Sequence, residues 1–229
     1  AYPEMFPGVL GHSVIGKALS EKKWNLEIIN LHNFGFDDRG SIDDSPFGGG
    51  PGMILRADVV EKAIIFATKN LKSEYKLIYL SPSGKPLKQG YLKKLSKFSE
   101  IVILCGKFEG VDYRAIEVLG FDEISIGDYI LSGGEVAAQV LLEGCIRMLP
   151  GVLGQPESIL EESFSKNLLE HPQYTRPQVW VDVHKNRHNV PDILLSGHHE
   201  KIKDWRKASS FKKTKKIRPD LINKKGKND

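Results

Sequence analysis

Cysteine is scarce in this sequence, and the scarcity removes several possibilities at once. Two occur in 229 residues, Cys105 at the end of the apolar run IVILC and Cys145 within the apolar QVLLEGCIRML. That spacing suits neither a disulfide framework nor a zinc ligand set, so both are expected to be buried core thiols. His184 and His188 stand four apart and His198 adjoins His199, but no cysteine or carboxylate completes a zinc pattern, so no metal site is expected. Long apolar runs are missing as well. None approaches the roughly 18 residues that cross a bilayer, and no basic segment followed by an apolar core opens the chain. A cytoplasmic protein without membrane contact is the expectation. Phosphate cradles are lacking too: CGKFEG does not have the G-x-G-x-x-G order, and GGGPGM has no following Lys-Ser/Thr pair. There is no internal repeat.

What is present is enough apolar residue, 40% against 27% charged, for one or two globular domains. The net charge of +4 hides an asymmetry, because Lys201 to Asp229 hold twelve Lys and Arg against three Asp, leaving Ala1 to Glu200 at −5. A run such as FKKTKKIRPDLINKKGK reads either as a solvated, partly disordered extension or as a surface for a phosphate backbone.

Hydrophobic periodicity organises the rest. LEIINL, KLIYLSP and EIVILCG are short β-branched runs; RADVVEKAIIFATKNLK, PLKQGYLKKLSKF and VDYRAIEVLG are amphipathic. Strands alternating with helices predict an α/β fold, a parallel sheet with helices on both faces. A helix beginning at Gly133 is broken by Pro150, Gly151, Gly154 and Pro156, which places a domain boundary near Gly154. Beyond a polar stretch, HHEKIKDWRKASS predicts another helix. Three loops stand at strand ends: SPSGKPL, CGKFEGVD and SIGDYILSGGE. In an open parallel sheet ligands bind outside the carboxyl ends of the strands, so the three are expected to form one pocket, made for a ligand without phosphate.

These loops, with YPEMFPGVLGHSVIGKAL, SPFGGGPGM, PGVLGQPESILEESF, HPQYTRP and VPDILLSGHHEKIKDWR, resemble the successive motifs of the bacterial tRNA (guanine-N1)-methyltransferase family from about Tyr2 to Arg206. The resemblance implies a SPOUT-class enzyme: an α/β domain tied in a deep trefoil knot, acting as a homodimer on tRNA with S-adenosylmethionine. Such a knot is an exception to the rule against threaded connections. Residues 1–153 would be the knotted cofactor-binding domain, 154–171 a linker, and 172–229 a small, mainly helical tRNA-binding domain with a Lys-rich tail. The family normally has a strand just before FPEMF, and this sequence starts at Ala1.

By the same resemblance the cofactor is lined by Tyr79, Leu80, Ser81 and Pro82 from the first loop and by Gly106, Phe108 and Glu109 from the second. The third loop adds Ser125, Ile126, Gly127, Tyr129, Leu131, Gly133 and Gly134. Guanine N1 must lose a proton while negative charge grows toward O6, which asks for a base and a cation. The corresponding positions are Glu162, where the family has Asp, and Arg147. Glu161 is a rival base, and Arg147 equally suits a helix C-terminal cation. Glu109 has two candidate roles, balancing the sulfonium or recognising guanine. Lys201, Arg206 and Lys207 are candidate RNA phosphate contacts, with Trp205 as core, and SPFGGGPGM a flexible loop near the RNA. Participation of Mg²⁺ is left open. The implied reaction is methyl transfer to N1 of guanine 37, beside the anticodon. Two other readings compete: a knotted enzyme acting on a ribose 2′-OH, and an RNA-binding protein that keeps the pocket without catalysis.

Overall fold

A computed structural model describes residues 1–154, 162–164 and 167–222. The chain divides into two compact units, Ala1–Gly154 and Gln155–Asp229.

In the first unit, helix α1 (Ser13–Ser20) precedes a short antiparallel pair, β1 (Asp43–Asp44) and β2 (Ile54–Leu55). There follow α2 (Ala57–Thr68), β3 (Tyr75–Pro86), α3 (Gln89–Leu95), β4 (Glu100–Cys105), α4 (Tyr113–Leu119), β5 (Asp122–Ser125) and α5 (Gly134–Ile146). Among the described residues β3, β4 and β5 form one parallel sheet in the order β4-β3-β5, so β3 is central. Its side chains alternate between two cores with the period of two that a strand imposes. Tyr79 of β3 and Leu104 of β4 face α2 and α4, joined by Val59, Val60, Ala63 and Ile116. Ile78 and Leu80, with Ile101 and Ile103, face α3 and α5, against Leu95, Ala138 and Leu141. Both faces of the sheet are therefore covered, which is why its strands read as nearly continuous apolar runs. A third cluster joins α1 to the end of α5 through Leu10, Ile15, Ala18, Ile146 and Val152.

Two strand expectations change. Residues 26–30 of LEIINL belong to no regular element, and Leu31 opens a 3₁₀ turn (Leu31–Phe34). β-branched residues favour a strand only when a neighbouring strand completes the ladder, and no described residue pairs with them. The segment SPSGKPL, expected as a loop, continues β3 through a bulge instead. Leu80 and Lys85 both stand opposite Ile124, so residues 81–84 loop out and the chain returns to the same partner.

The second unit contains an antiparallel hairpin, β6 (Val179–Val181) and β7 (Arg187–Asn189), then α6 (His199–Ile217) and α7 (Pro219–Ile222). The hairpin was not anticipated from the sequence. The Lys-rich run is also more ordered than a solvated extension, because α6 runs through Lys215 and Lys216 to Ile217. Its inner stripe, Ile202, Trp205, Ser209 and Thr214, is wholly or partly buried, while Lys201, Lys203, Arg206, Lys207 and Lys212 are exposed. Thr214 is 0% exposed. Its hydroxyl donates to the Ser210 carbonyl at 2.7 Å and accepts the Leu169 N–H at 2.9 Å. Lys213 Nζ donates to the Glu170 carbonyl at 3.1 Å, so two residues of the stretch expected as a linker are held against α6.

Thr214→Val keeps the shape and strands the Leu169 N–H. The expected loss is about 1–3 kcal/mol from this unit, with Thr214→Ser close to wild type. Urea unfolding followed through Trp180 and Trp205 fluorescence checks it, and equal midpoints for the two variants would remove the hydroxyl from the account.

Candidate functional site

At the carboxyl edge of the sheet, Leu80 before the β3 bulge, Cys105 at the end of β4 and Ser125 at the end of β5 lie side by side, and the segments that follow them enclose a cavity of about 290 Å³. The carboxyl edge of the sheet is the place the general rule for open parallel sheets assigns to ligands.

The first wall comes from the bulge. Ser81 and Ser83 hydroxyls lie 2.7 Å apart, and Ser83 Oγ donates to Glu123 Oε1 at 2.8 Å, which fixes the excursion of β3 against β5. Tyr79 lies beneath, 7% exposed. Burial first, and then the Glu123 carboxylate, raises its phenol above the ordinary value, so it stays protonated.

The second wall is Gly106–Gly110. Phe108 sits at φ +58°, a strained position for a bulky residue, and is half exposed at the cavity. The Glu109 N–H donates to the Met53 carbonyl at 3.0 Å, and a Cβ on Gly52 would collide with the Glu109 side chain. The glycine-rich segment before Met53 is thus anchored beside Glu109.

The third wall runs from Ser125 to Gly134. Ser125, 4% exposed, donates from Oγ to the Gly127 carbonyl at 3.0 Å and receives the Gly127 N–H at 3.2 Å. Gly127 has φ +153°, and a Cβ there would run into the Tyr129 ring. At the end of the loop the Gly134 N–H donates to the Gly106 carbonyl at 2.8 Å. A Cβ on Gly134 would lie 2.9 Å from both Cys105 Cα and Gly106 N, closer than packing allows, so α5 can begin against β4 only with glycine there.

All fourteen residues expected around a cofactor, from Tyr79 to Gly134, line this one cavity. Sequence reasoning missed Ser83, Lys107, Gly110, Ile124, Ile130, Ser132 and Ala137, which alternate with the named residues in the same three segments. Their signal was the loops themselves; which side of each turn faces inward depends on tertiary contacts. The lining combines hydroxyls and backbone groups with Glu109 and an aliphatic wall of Leu80, Ile126 and Leu131. Such a set suits a nucleoside and a small cation, and it contains no run of cations for phosphates.

The remaining candidates lie elsewhere. Arg147 caps the C-terminus of α5 in the first unit, with its N–H on the Glu143 carbonyl at 3.1 Å. Glu162 belongs to the second unit and is partly buried; its rival Glu161 lies outside the described residues. Lys201, Arg206 and Lys207 are exposed on α6, and Trp205 is half-buried, 6.3 Å from both the His171 and Tyr174 rings. His188 binds Asp182 at 3.0 Å, and no His, Cys, Asp and Glu cluster fit for a metal occurs among the described residues.

Fold and cavity together define an α/β protein with a ligand-sized cavity at the carboxyl edge of a parallel sheet. Its family is specific. The chain belongs to the family described as tRNA (guanine-1)-methyltransferase TrmD, whose model matches residues 1–224. It is 50% identical over 227 residues to a tRNA (guanine-N(1)-)-methyltransferase of Wolbachia pipientis subsp. Culex pipiens (strain wPip), covering 97% of this chain and 94% of that protein. The same name is carried by a protein of Ehrlichia canis (strain Jake), 52% identical over 96% of this chain and 92% of its own length. A Roseobacter denitrificans protein of that name is 48% identical over 98% and 91%.

Burial pushes the thiols of Cys105 and Cys145 up to about 12, which makes them poor nucleophiles. At pH 8 a thiol raised this far is almost wholly protonated, so disulfide reagents should modify both cysteines about 10³-fold more slowly than a free thiol. Equal rates in native and urea-unfolded protein would mean that neither thiol is protected.

Proposed function

We propose that this protein transfers a methyl group from S-adenosylmethionine to N1 of guanine 37 in tRNA. The observation that carries the reading is the similarity of nearly the whole chain to proteins named for methylating guanine N1 of tRNA. The cavity supports it: its glycine-lined walls, hydroxyls and single carboxylate suit an adenosine and a sulfonium, with Glu109 balancing the sulfonium or recognising guanine. Bound there, S-adenosylmethionine supplies an electrophilic methyl on a sulfonium that departs as a neutral thioether, so no acid is required.

The protein's own task is to make N1 nucleophilic. Glu162 removes the N1 proton, and Arg147 stabilises the charge that develops on O6. Backbone groups of the Ser125–Gly134 loop orient the cofactor, and Leu80, Ile126 and Leu131 exclude water from it. Lys201, Arg206 and Lys207 on α6 hold the RNA backbone, and the second unit serves as the tRNA-binding domain. On this reading the first unit carries the deep trefoil knot of the SPOUT class. No helix among the described residues is long and apolar enough to cross a membrane, which accords with a cytoplasmic enzyme.

A homodimer completes the reading. Val136 and Val140 stand one turn apart on α5, 47% and 49% exposed, and Val9, 67% exposed, lies on the 3₁₀ turn (Gly8–Gly11) packed against that helix. Glu143 and Arg147 continue the same face. A second copy covering this apolar stripe would meet Arg147 at its end.

Three outcomes test these statements. With labelled cofactor, nucleoside analysis of tRNA should show 1-methylguanosine at position 37; a 2′-O-methylated nucleoside would favour the ribose reading, and intact binding without product the non-catalytic one. Glu162→Gln should lower turnover at saturating cofactor by about 10²-fold or more with cofactor affinity nearly unchanged. Near-normal turnover would remove Glu162 and make Glu161→Gln the next variant. Val136→Glu with Val140→Glu should halve the mass seen by sedimentation and abolish methyl transfer, and a wild-type mass would place the interface elsewhere.

A further inference from the structure

The second unit holds a cavity of about 510 Å³ that the methyl-transfer chemistry does not use. Its wall on one side is the extended segment His171–Gln178, on the other the apolar Val190, Leu194 and Ile202. Arg176 reaches it from the segment and Arg206 from α6. No carboxylate lines it, and neither guanidinium has a hydrogen bond or ion pair with any described residue. Two uncommitted guanidinium groups on one cavity call for an anion of bidentate geometry. Tyr174, 48% exposed, stands at the same cavity with its ring 6.3 Å from Trp205. Its exposed aromatic ring offers a planar, largely apolar surface to a flat partner.

An aliphatic wall, one aromatic ring and a pair of arginines match the three parts of a nucleotide: base edge, base face and phosphate. The adjoining turns of α6 expose Lys201, Lys203 and Lys207 against Glu200 and Asp204, a local excess of cations that suits a continuing polyanion rather than an isolated small molecule. We propose that this cavity receives one unpaired nucleotide of the RNA substrate, with its base against Tyr174 and its phosphate between Arg176 and Arg206. The assignment rests on the tRNA reading above and adds to it a second, non-reacting nucleotide site, remote in sequence from the methyl-transfer cavity. Its effect is on substrate binding. Energy gained there is present equally before and during methyl transfer, so its loss raises KM and leaves kcat alone.

The full chain and an unmodified tRNA transcript provide the test. Tyr174→Leu, which changes no charge, and the double variant Arg176→Gln with Arg206→Gln should each raise the KM for tRNA by about tenfold or more, with kcat at saturating tRNA within about twofold. Tyr174→Phe keeps the stacking face and should behave as wild type. In the wild-type protein, addition of tRNA should slow hydrogen exchange within His171–Gln178, a readout independent of how any variant folds. Unchanged KM in both variants, or unchanged exchange in that segment, overturns the proposal. So does tight binding of free nucleoside monophosphates that tRNA fails to displace, which would make the cavity a site for a soluble nucleotide. If the wild type forms no 1-methylguanosine, the methyltransferase reading fails by itself, while exchange protection still reports on the cavity. If it forms the product and the variants match wild type, only the cavity assignment is lost.

Discussion

The site depends on one close approach. Helix α5 starts with its first residue pressed against the end of β4, and the 2.8 Å hydrogen bond from Gly134 N–H to the Gly106 carbonyl closes the contact. Every part of the cavity follows from it. The bond ties the third loop to the second, and the second is tied in turn to the Met53 segment through Glu109. The first is held by hydroxyls reaching β5. A methyl group at position 134 would push α5 off the sheet, separating Ala138 and Leu141 from Ile78 and Leu80 in the core they share. Packing of the core and closure of the cavity are therefore one constraint, and a change in either is felt in both.

Much of this was legible in the sequence because burial on both faces leaves a plain trace. β3 and β4 carry nearly unbroken apolar runs, and α2, α3 and α4 carry helical periods between them. The loops at the strand ends were legible for a related reason: glycine and serine clusters at the end of an apolar run have few other uses. What was illegible required a partner distant in sequence. LEIINL has the propensity of a strand and no ladder to join, and SPSGKPL has the composition of a loop but returns to Ile124. The order of α6 rests on Thr214 meeting Leu169, 45 residues away, which no local pattern announces among so many lysines. For the same reason the β6-β7 hairpin escaped notice, since its three-residue strands are mostly exposed and carry no core period.

The distribution of charge separates two kinds of work. From Ala1 to Glu200 the chain is net acidic, so it does not by itself attract a polyanion, whereas from Lys201 onward the excess is +9. Attraction to phosphates is long-ranged, depends on salt and does not discriminate between sequences. The cavity at the sheet edge works oppositely: short-ranged, built of hydroxyls and backbone groups, and selective through shape. A highly basic surface at the cavity would bind any phosphate that came near and would oppose a sulfonium. Lys107 is the one cation among the lining residues, 4.6 Å from the centre of the Tyr2 ring.

That separation bears on why a carboxylate can serve as base in an RNA-modifying enzyme. A glutamate next to a dense patch of lysines would be held firmly ionised, and its proton affinity would be too low to help guanine N1 lose its proton. Glu162, the proposed base, follows directly on a net-acidic run of sequence, Glu157 to Glu161. If Glu162 acts as proposed, the glutamate that stands where the family has aspartate presents the same carboxylate on a side chain one methylene longer.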